Sequence, residues 1–166
     1  KADYMRFLST QAKDKRSYYH HTEIGYNYRM SNVLAAIGLG QMEVIEDHIK
    51  RTREINQIYR DEVGEYFWDF QNERGNDRSN MWLTCALMKG EYQPQDLIEH
   101  LANDSIEARR IWKPMHQQPV MSKYIKYING TADTLFQQGI CLPSGSNMDD
   151  KDMKRVIKSI KTFFEK

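Results

Sequence analysis

"HTEIGYNYRMSNVLAAIGLGQME", His21 to Glu43, changes character part-way along. Its first half is polar and aromatic and crosses Gly25 and Asn27. Its second half is an apolar run rich in alanine and glycine. Ser31 or Asn32 can cap a helix at the junction, since either side-chain oxygen can accept from a free first-turn amide. The helix is predicted to run to about Val63. Its opening residues, Val33 to Leu39, are apolar on every side, and such a helix must be buried on every side. Ala35, Ala36, Gly38 and Gly40 permit close backbone approach. After Gln41 the pattern turns amphipathic. Met42, Ile45, Ile49, Ile55 and Tyr59 form a stripe, and Glu46, Asp47, Lys50, Arg51 and Arg53 face water. At ~1.5 Å per residue the helix would be about 45 Å long. That length is expected of a helix that links two domains or lines an interface.

Upstream, residues 11–31 show no helical stripe. Tyr18, Tyr19, Tyr26 and Tyr28 fall within them and argue for an ordered loop, because disordered segments are poor in aromatics. Met5, Phe7 and Leu8 read as the tail of a helix with no start signal before it, so a longer parent protein is expected.

Downstream, "QNERGNDRSN" (71–80) is a polar turn region. "MWLTCALM" (81–88) reads as a strand with few polar residues on either face, hence central in its sheet. Pro94 suits the first turn of a helix carrying Leu97, Ile98 and Leu101. A short strand is predicted near 105–109. Pro114 and Pro119 exclude regular structure from "WKPMHQQP". A helix near 131–138 and a strand at 139–142 follow. Asp149 and Asp152 can form a variant capping box for a last helix whose buried stripe is Met153, Val156, Ile157, Ile160 and a terminal phenylalanine. The fold class expected is α+β. The divisions expected are a loop-bearing segment (1–31), a long helix (32–63) and a small α+β domain (64–166).

The charge is balanced, with 24 basic and 23 acidic residues, which gives no electrostatic reason to expect nucleic acid. A small anion needs only a few local donors. No run of roughly 18 apolar residues exists to span a membrane, and no signal peptide is visible. Cys85 and Cys141 lie in apolar runs and read as buried reduced thiols of a cytoplasmic protein, not as a metal site or a disulfide framework.

Two constellations could carry chemistry. In "EIGYNYRMSN", Asn27 offers an amide donor and Arg29 a guanidinium fork, just ahead of a helix start that favours an anion. The plainer alternative is a helix-entry loop in which Arg29 pairs with an acid such as Glu23. In "EARRIWKPMHQQP", Arg109, Lys113 and His116 place three potential cations around Trp112, a set able to hold a diphosphate and stack on a flat ring. The plainer alternative is a surface loop with Trp112 plugging the small domain. His116 has no second ligand at metal-site spacing. No nucleophile stands beside a base, and "PSGSN" (143–147) lacks the lysine of a phosphate loop.

"HTEIGYNYRMSNVLAAIGLGQMEVIEDHI", "EARRIWKPMHQQPV" and "LFQQGICLPSGSNMDDKDMKRVI", in that order and over nearly the whole chain, resemble the C-terminal part of the DegT/DnrJ/StrS sugar aminotransferases. "KPMHQQP" and "LPSGS" are closest to the branch acting on UDP- or dTDP-linked 4-keto-6-deoxysugars. The resemblance implies the small C-terminal domain of a type I (aspartate aminotransferase-like) enzyme that uses pyridoxal 5'-phosphate, and a cytoplasmic homodimer with shared active sites. The implied substrates are a nucleotide sugar and an amino-acid donor such as glutamate, in polysaccharide or glycan biosynthesis. It implies that Asn27 reaches the partner's cofactor phosphate, with Arg29 beside it. It further implies that His21, Arg109 and His116 line the substrate side. Arg110 departs from the pattern, which commonly has proline there. The Schiff-base lysine of the family has no counterpart here, so this chain alone is expected to be inactive and to hold no catalytic residue. Two rival expectations are a binding or dimerisation module without chemistry and a relative that dehydrates the sugar.

Overall fold

A computed structural model describes residues 1–165. The chain divides into two compact units, one ending at Ile45 and the other beginning at Glu46.

In the first unit, Ala2–Ser9 form helix α1. The chain leaves it through Gln11 and Ala12, both at positive φ (68° and 49°). The loop that follows is long, as its lack of periodicity predicts, and its far end returns to α1. The Tyr26 amide donates to the Leu8 carbonyl (2.8 Å), the Gln11 amide to Tyr26 (3.0 Å) and the Tyr28 amide to Ser9 (3.1 Å). Helix α2, Asn32–Glu43, starts where the sequence places it. Ser31 is the cap, and its hydroxyl accepts from the Leu34 amide at 3.3 Å.

The single helix predicted to reach Val63 is interrupted. Val44 leaves helical geometry (φ −115°, ψ 5°) and its amide turns back to Gln41. A new helix, α3, spans Ile45–Val63. Burial of α2 on every side is not met within this chain, because no residue of α2 is buried. Val33, Leu39 and Met42 are 70%, 66% and 61% exposed.

In the second unit a turn at Gly64–Tyr66 leads into β1, Phe67–Phe70. Then come β2 (Thr84–Met88), α4 (Pro94–Asn103), β3 (Arg109–Arg110), α5 (Thr131–Gln138), β4 (Gly139–Leu142) and α6 (Asp150–Phe164). The strands pair antiparallel throughout in the order β1-β2-β4-β3, which makes β2 central as its apolar faces require. Two boundaries differ from expectation. The strand predicted from 81 begins at Thr84, because Met81 sits at positive φ (48°) and delays the ladder. The strand predicted near 105–109 is reduced to Arg109–Arg110, since Ser105 is also at positive φ (56°).

Period-two alternation sends Thr84, Ala86 and Met88 of β2 to one face of the sheet. There they meet Ile55, Tyr59 and Val63 of α3, Leu97 and Leu101 of α4, and Met153, Val156 and Ile160 of α6. Each large side chain fully withdrawn from water contributes about 1.5–3 kcal/mol before ordering entropy is subtracted. The capping box expected at Asp149 is formed, with Asp149 accepting from the Asp152 amide at 2.8 Å. Polar groups inside the core are satisfied locally. The Tyr59 hydroxyl donates to the Pro143 carbonyl (2.8 Å), and burial pushes that phenol well above its ordinary pKa. Ser144 accepts from the Thr84 amide (2.9 Å) and donates to the Leu142 carbonyl (2.8 Å), so it ties the end of β4 to the start of β2.

Candidate functional site

Asn27 stands on a turn that its own backbone holds in place. A bridge joins it to Thr10, and the flanking Tyr26 and Tyr28 rings stack with centroids 5.0 Å apart. Gly25 is what lets the turn approach. A Cβ there would collide with the Ala12 backbone nitrogen and stand 2.6 Å from the Ala12 Cβ. Ala12 is itself fully buried. The Asn27 side chain is exposed and makes no hydrogen bond among the described residues. It is therefore a donor on a rigid support with its hydrogens still to give.

Arg29 is likewise exposed and unpaired among the described residues. Glu23, the acid the plainer reading would give it, instead accepts from the Tyr4 hydroxyl. Arg29 borders a cavity of about 470 Å³ shared with Arg6, Lys13 and Lys15. Asp3 and Asp14 also border it; Asp3 pairs with Arg6 at 3.0 Å, and the Asp14 carboxylate is taken by His20 (2.6 Å) and Thr22 (3.2 Å). The His20 hydrogen bond holds that carboxyl below its usual pKa. The cavity is thus cationic on balance. His21 donates through Nδ1 to the Gln11 carbonyl at 2.9 Å, which fastens the middle of the loop and leaves Nε2 outward.

In the second unit, Arg109, Trp82, Trp112, Cys141 and Ser144 line a cavity of about 340 Å³. The two indoles lie 6.2 Å apart between centroids and are 62% and 67% exposed. Trp112 does not plug the domain; it forms an open wall. The Arg109 guanidinium is held by Glu107 at 2.6 and 2.8 Å.

His116 is not loose on the surface. Its Nε2 lies 2.7 Å from Asp133 in the first turn of α5, and Gln117 donates to the same carboxylate. Gln117 first and His116 second hold the Asp133 carboxyl below its usual pKa. That clamp orders "KPMHQQP", which is not irregular as the prolines predict: Met115–Gln117 form a short 3-10 turn and Pro119 opens another, Pro119–Met121, a position that needs no amide from it. Lys113 is exposed. Arg110, at the position where proline is common, reaches the end of α5. It donates to the carbonyls of Phe136 (2.5 Å) and Gln137 (3.2 Å), with its guanidinium 4.4 Å from the Phe136 ring centroid. Free carbonyls at a helix C-terminus favour a cation, which gives this departure a structural role.

The three segments that the sequence sets apart all fall within residues 1–161, which match the model of one family. The chain belongs to the DegT/DnrJ/EryC1/StrS aminotransferase family.

Among relatives of this family member, EpsN of Bacillus subtilis, provisionally named a pyridoxal phosphate-dependent aminotransferase, is 38% identical over 164 residues. The alignment covers 96% of this chain and 42% of that protein. GDP-perosamine synthase of Escherichia coli O157:H7 is 35% identical over 88% of this chain and 40% of its own length. The chain thus spans about two fifths of the relatives it matches. Solved structures share the fold. Aminotransferase TlmJ of Streptoalloteichus hindustanus superposes with a TM-score of 0.83 at 17% identity, covering 99% of this chain and 44% of that one. Helicobacter pylori PseC does so with 0.77 at 20%, covering 98% and 46%.

Sequence reasoning named Asn27, Arg29, His21, Arg109 and His116 but missed Asp133 and Trp82. Asp133 lies 17 residues from His116, and only the fold reveals the pair. Trp82 sits before β2, where an aromatic reads as core. Among the described residues no cluster of three or more histidine, cysteine or acidic side chains is placed to hold a metal, and no helix is long and apolar enough to cross a membrane.

Proposed function

We propose that the chain is the C-terminal portion of a pyridoxal 5'-phosphate-dependent aminotransferase that aminates a nucleotide-linked keto-deoxysugar. The product would serve polysaccharide or glycan biosynthesis in the cytoplasm. The observation that carries the proposal is the Asn27 amide, free to donate on a turn fixed by Gly25 and the Thr10 bridge, in a chain of this family.

The residues present fit a phosphate. An uncommitted amide and an uncommitted guanidinium stand on one loop, and Lys13 and Lys15 add positive charge around Arg29. The enzyme is a homodimer in this proposal, with Asn27 and Arg29 of one subunit binding the phosphate of the cofactor held by the other. Exposure of the apolar α2 directly after the loop supports that arrangement, because a helix without a polar side needs a cover. Held through its phosphate by Asn27 and Arg29, the cofactor would supply the chemistry of amino-group transfer between a donor amino acid, glutamate being the expected one, and the sugar carbonyl.

The tasks of this chain's residues are binding and positioning. Asn27 and Arg29 hold an anion. Arg109, which lines one cavity with Trp82 and Trp112, offers a cation to a diphosphate on release from Glu107, and the two indoles offer flat faces to a base. His21 fixes the loop through Gln11, and its free Nε2 can meet a sugar hydroxyl. His116, oriented by Asp133, holds in place the loop that follows Trp112. The lysine that carries the cofactor comes from sequence outside this chain, so the chain alone is inactive.

The test is to express the intact protein and follow cofactor absorbance and product mass with UDP-, dTDP- and GDP-linked 4-keto-6-deoxysugars. GDP belongs in the panel because the similar perosamine synthases are named for it. Bound cofactor and an aminated product are expected with one of the three. Absence of both overturns the proposal.

A further inference from the structure

Cys85 and Cys141 are directly opposed across β2 and β4, and their sulfurs lie 3.6 Å apart. The Cys85 carbonyl accepts from Gln71 on the side away from β4. The two cysteines therefore occupy a non-hydrogen-bonded pair of the ladder, the kind in which facing side chains come closest. Their Cα atoms are then about 4.5 Å apart, inside the range that a disulfide spans. Both thiols point to the sheet face opposite the main core, where Trp112 borders the cavities on either side of them. Cys85 is half-buried and opens onto one cavity, of about 480 Å³, and Cys141 lines the other.

We propose that Cys85 and Cys141 form a reversible redox pair that a small peroxide converts to a disulfide. Cys85 is the attacking thiol. The two thiols share a hydrogen bond, and with Cys141 as its donor the Cys85 pKa is lowered and that of Cys141 raised. The Cys85 thiolate attacks one peroxide oxygen, the O–O bond breaks, and the departing hydroxide takes up a proton to leave as water. The Cys141 sulfur then attacks the resulting sulfenic sulfur, the S–O bond breaks, and the hydroxyl leaves with the Cys141 proton as a second water. Two thiols are oxidised and one peroxide is reduced to two waters. The sulfurs need only close from 3.6 Å to about 2.05 Å, a movement within reach of side-chain rotation. Such pairs in reducing compartments are transient and sense oxidants rather than brace a fold.

The experiment treats the intact protein with hydrogen peroxide, alkylates free thiols, and maps peptides by mass spectrometry without reductant. The expected result is one linked peptide joining Cys85 to Cys141, lost on reduction. In the Cys141→Ser variant dimedone should label Cys85, and in Cys85→Ser it should leave Cys141 unlabelled. Recovery of both cysteines as separately alkylated peptides from treated wild-type protein overturns the proposal, as does a disulfide formed only between chains. The wild-type map decides even if a variant fails to fold.

Discussion

Gly25 packs against Ala12 with no room for a side chain between them. The contact fixes the turn that carries Asn27. Gly25→Ala should force the turn off its seat at a cost of about 1–3 kcal/mol, the usual penalty of overpacking. Chymotrypsin should then cut faster at Tyr26 and Tyr28, while the second unit keeps its resistance. Unchanged cleavage at both tyrosines would show that the turn is held some other way.

Asn27→Ala in the intact protein should weaken cofactor retention by about 1.5–3 kcal/mol, the worth of a hydrogen bond to a charged group, or roughly ten- to a hundredfold. Absorbance titration of the stripped enzyme measures it. Equal affinity in wild type and variant removes Asn27 from the cofactor.

Tyr59→Phe keeps the buried ring but leaves the Pro143 carbonyl without its donor. Loss of this part-buried hydrogen bond costs about 0.5–1.5 kcal/mol, readable in a urea melt with an unchanged slope.

Glu73 accepts from Arg53 at 2.7 and 3.1 Å and from the Ser79 amide. These bonds, Arg53 foremost, draw its carboxyl down from 4.5 to about 2. A depressed folded pKa gives stability that is complete above the unfolded value and is lost as pH falls through the folded one. Wild-type stability should therefore decline from pH 4.5 toward about 2, and Glu73→Gln should flatten part of that decline. Identical acid profiles would deny the pair any role in holding residues 73–79.

The apolar α2, uncovered by this chain, predicts self-association of the chain when it is expressed alone. Sedimentation should show dimers or larger species, and the double substitution Leu34→Glu, Ile37→Glu should shift them toward monomer. A clean wild-type monomer would remove α2 as the dimer contact.

Elements whose determinants are local were legible in the sequence. Ser31, Asp149 with Asp152, and the stripe from Met153 to Ile160 name their helices through contacts three or four residues apart. β2 and β4 announced themselves as short runs with few polar residues. β1 did not. A register shift between Phe67 and Asp69 breaks the alternation by which a strand is recognised, and only pairing with β2 makes "FWDF" extended. The interruption at Val44 carried no proline to mark it. Asn27 and Arg29 could be named as candidate donors from residue type alone, while their proposed role came from the resemblance and not from any local pattern. The His116–Asp133 clamp and the Arg110 contact with the end of α5 were not, since they join residues 17 and 26 to 27 positions apart.

The two outer strands of the sheet are its shortest or most irregular members. β3 is two residues long, and β1 is four with a register shift inside it. A sheet bordered this way offers a neighbouring molecule too few aligned amides and carbonyls to extend the ladder. Fibril-like stacking should therefore not begin on this sheet. Concentrated samples that lose solubility should do so through greasy contacts at residues 33–42, yielding amorphous precipitate that does not bind thioflavin.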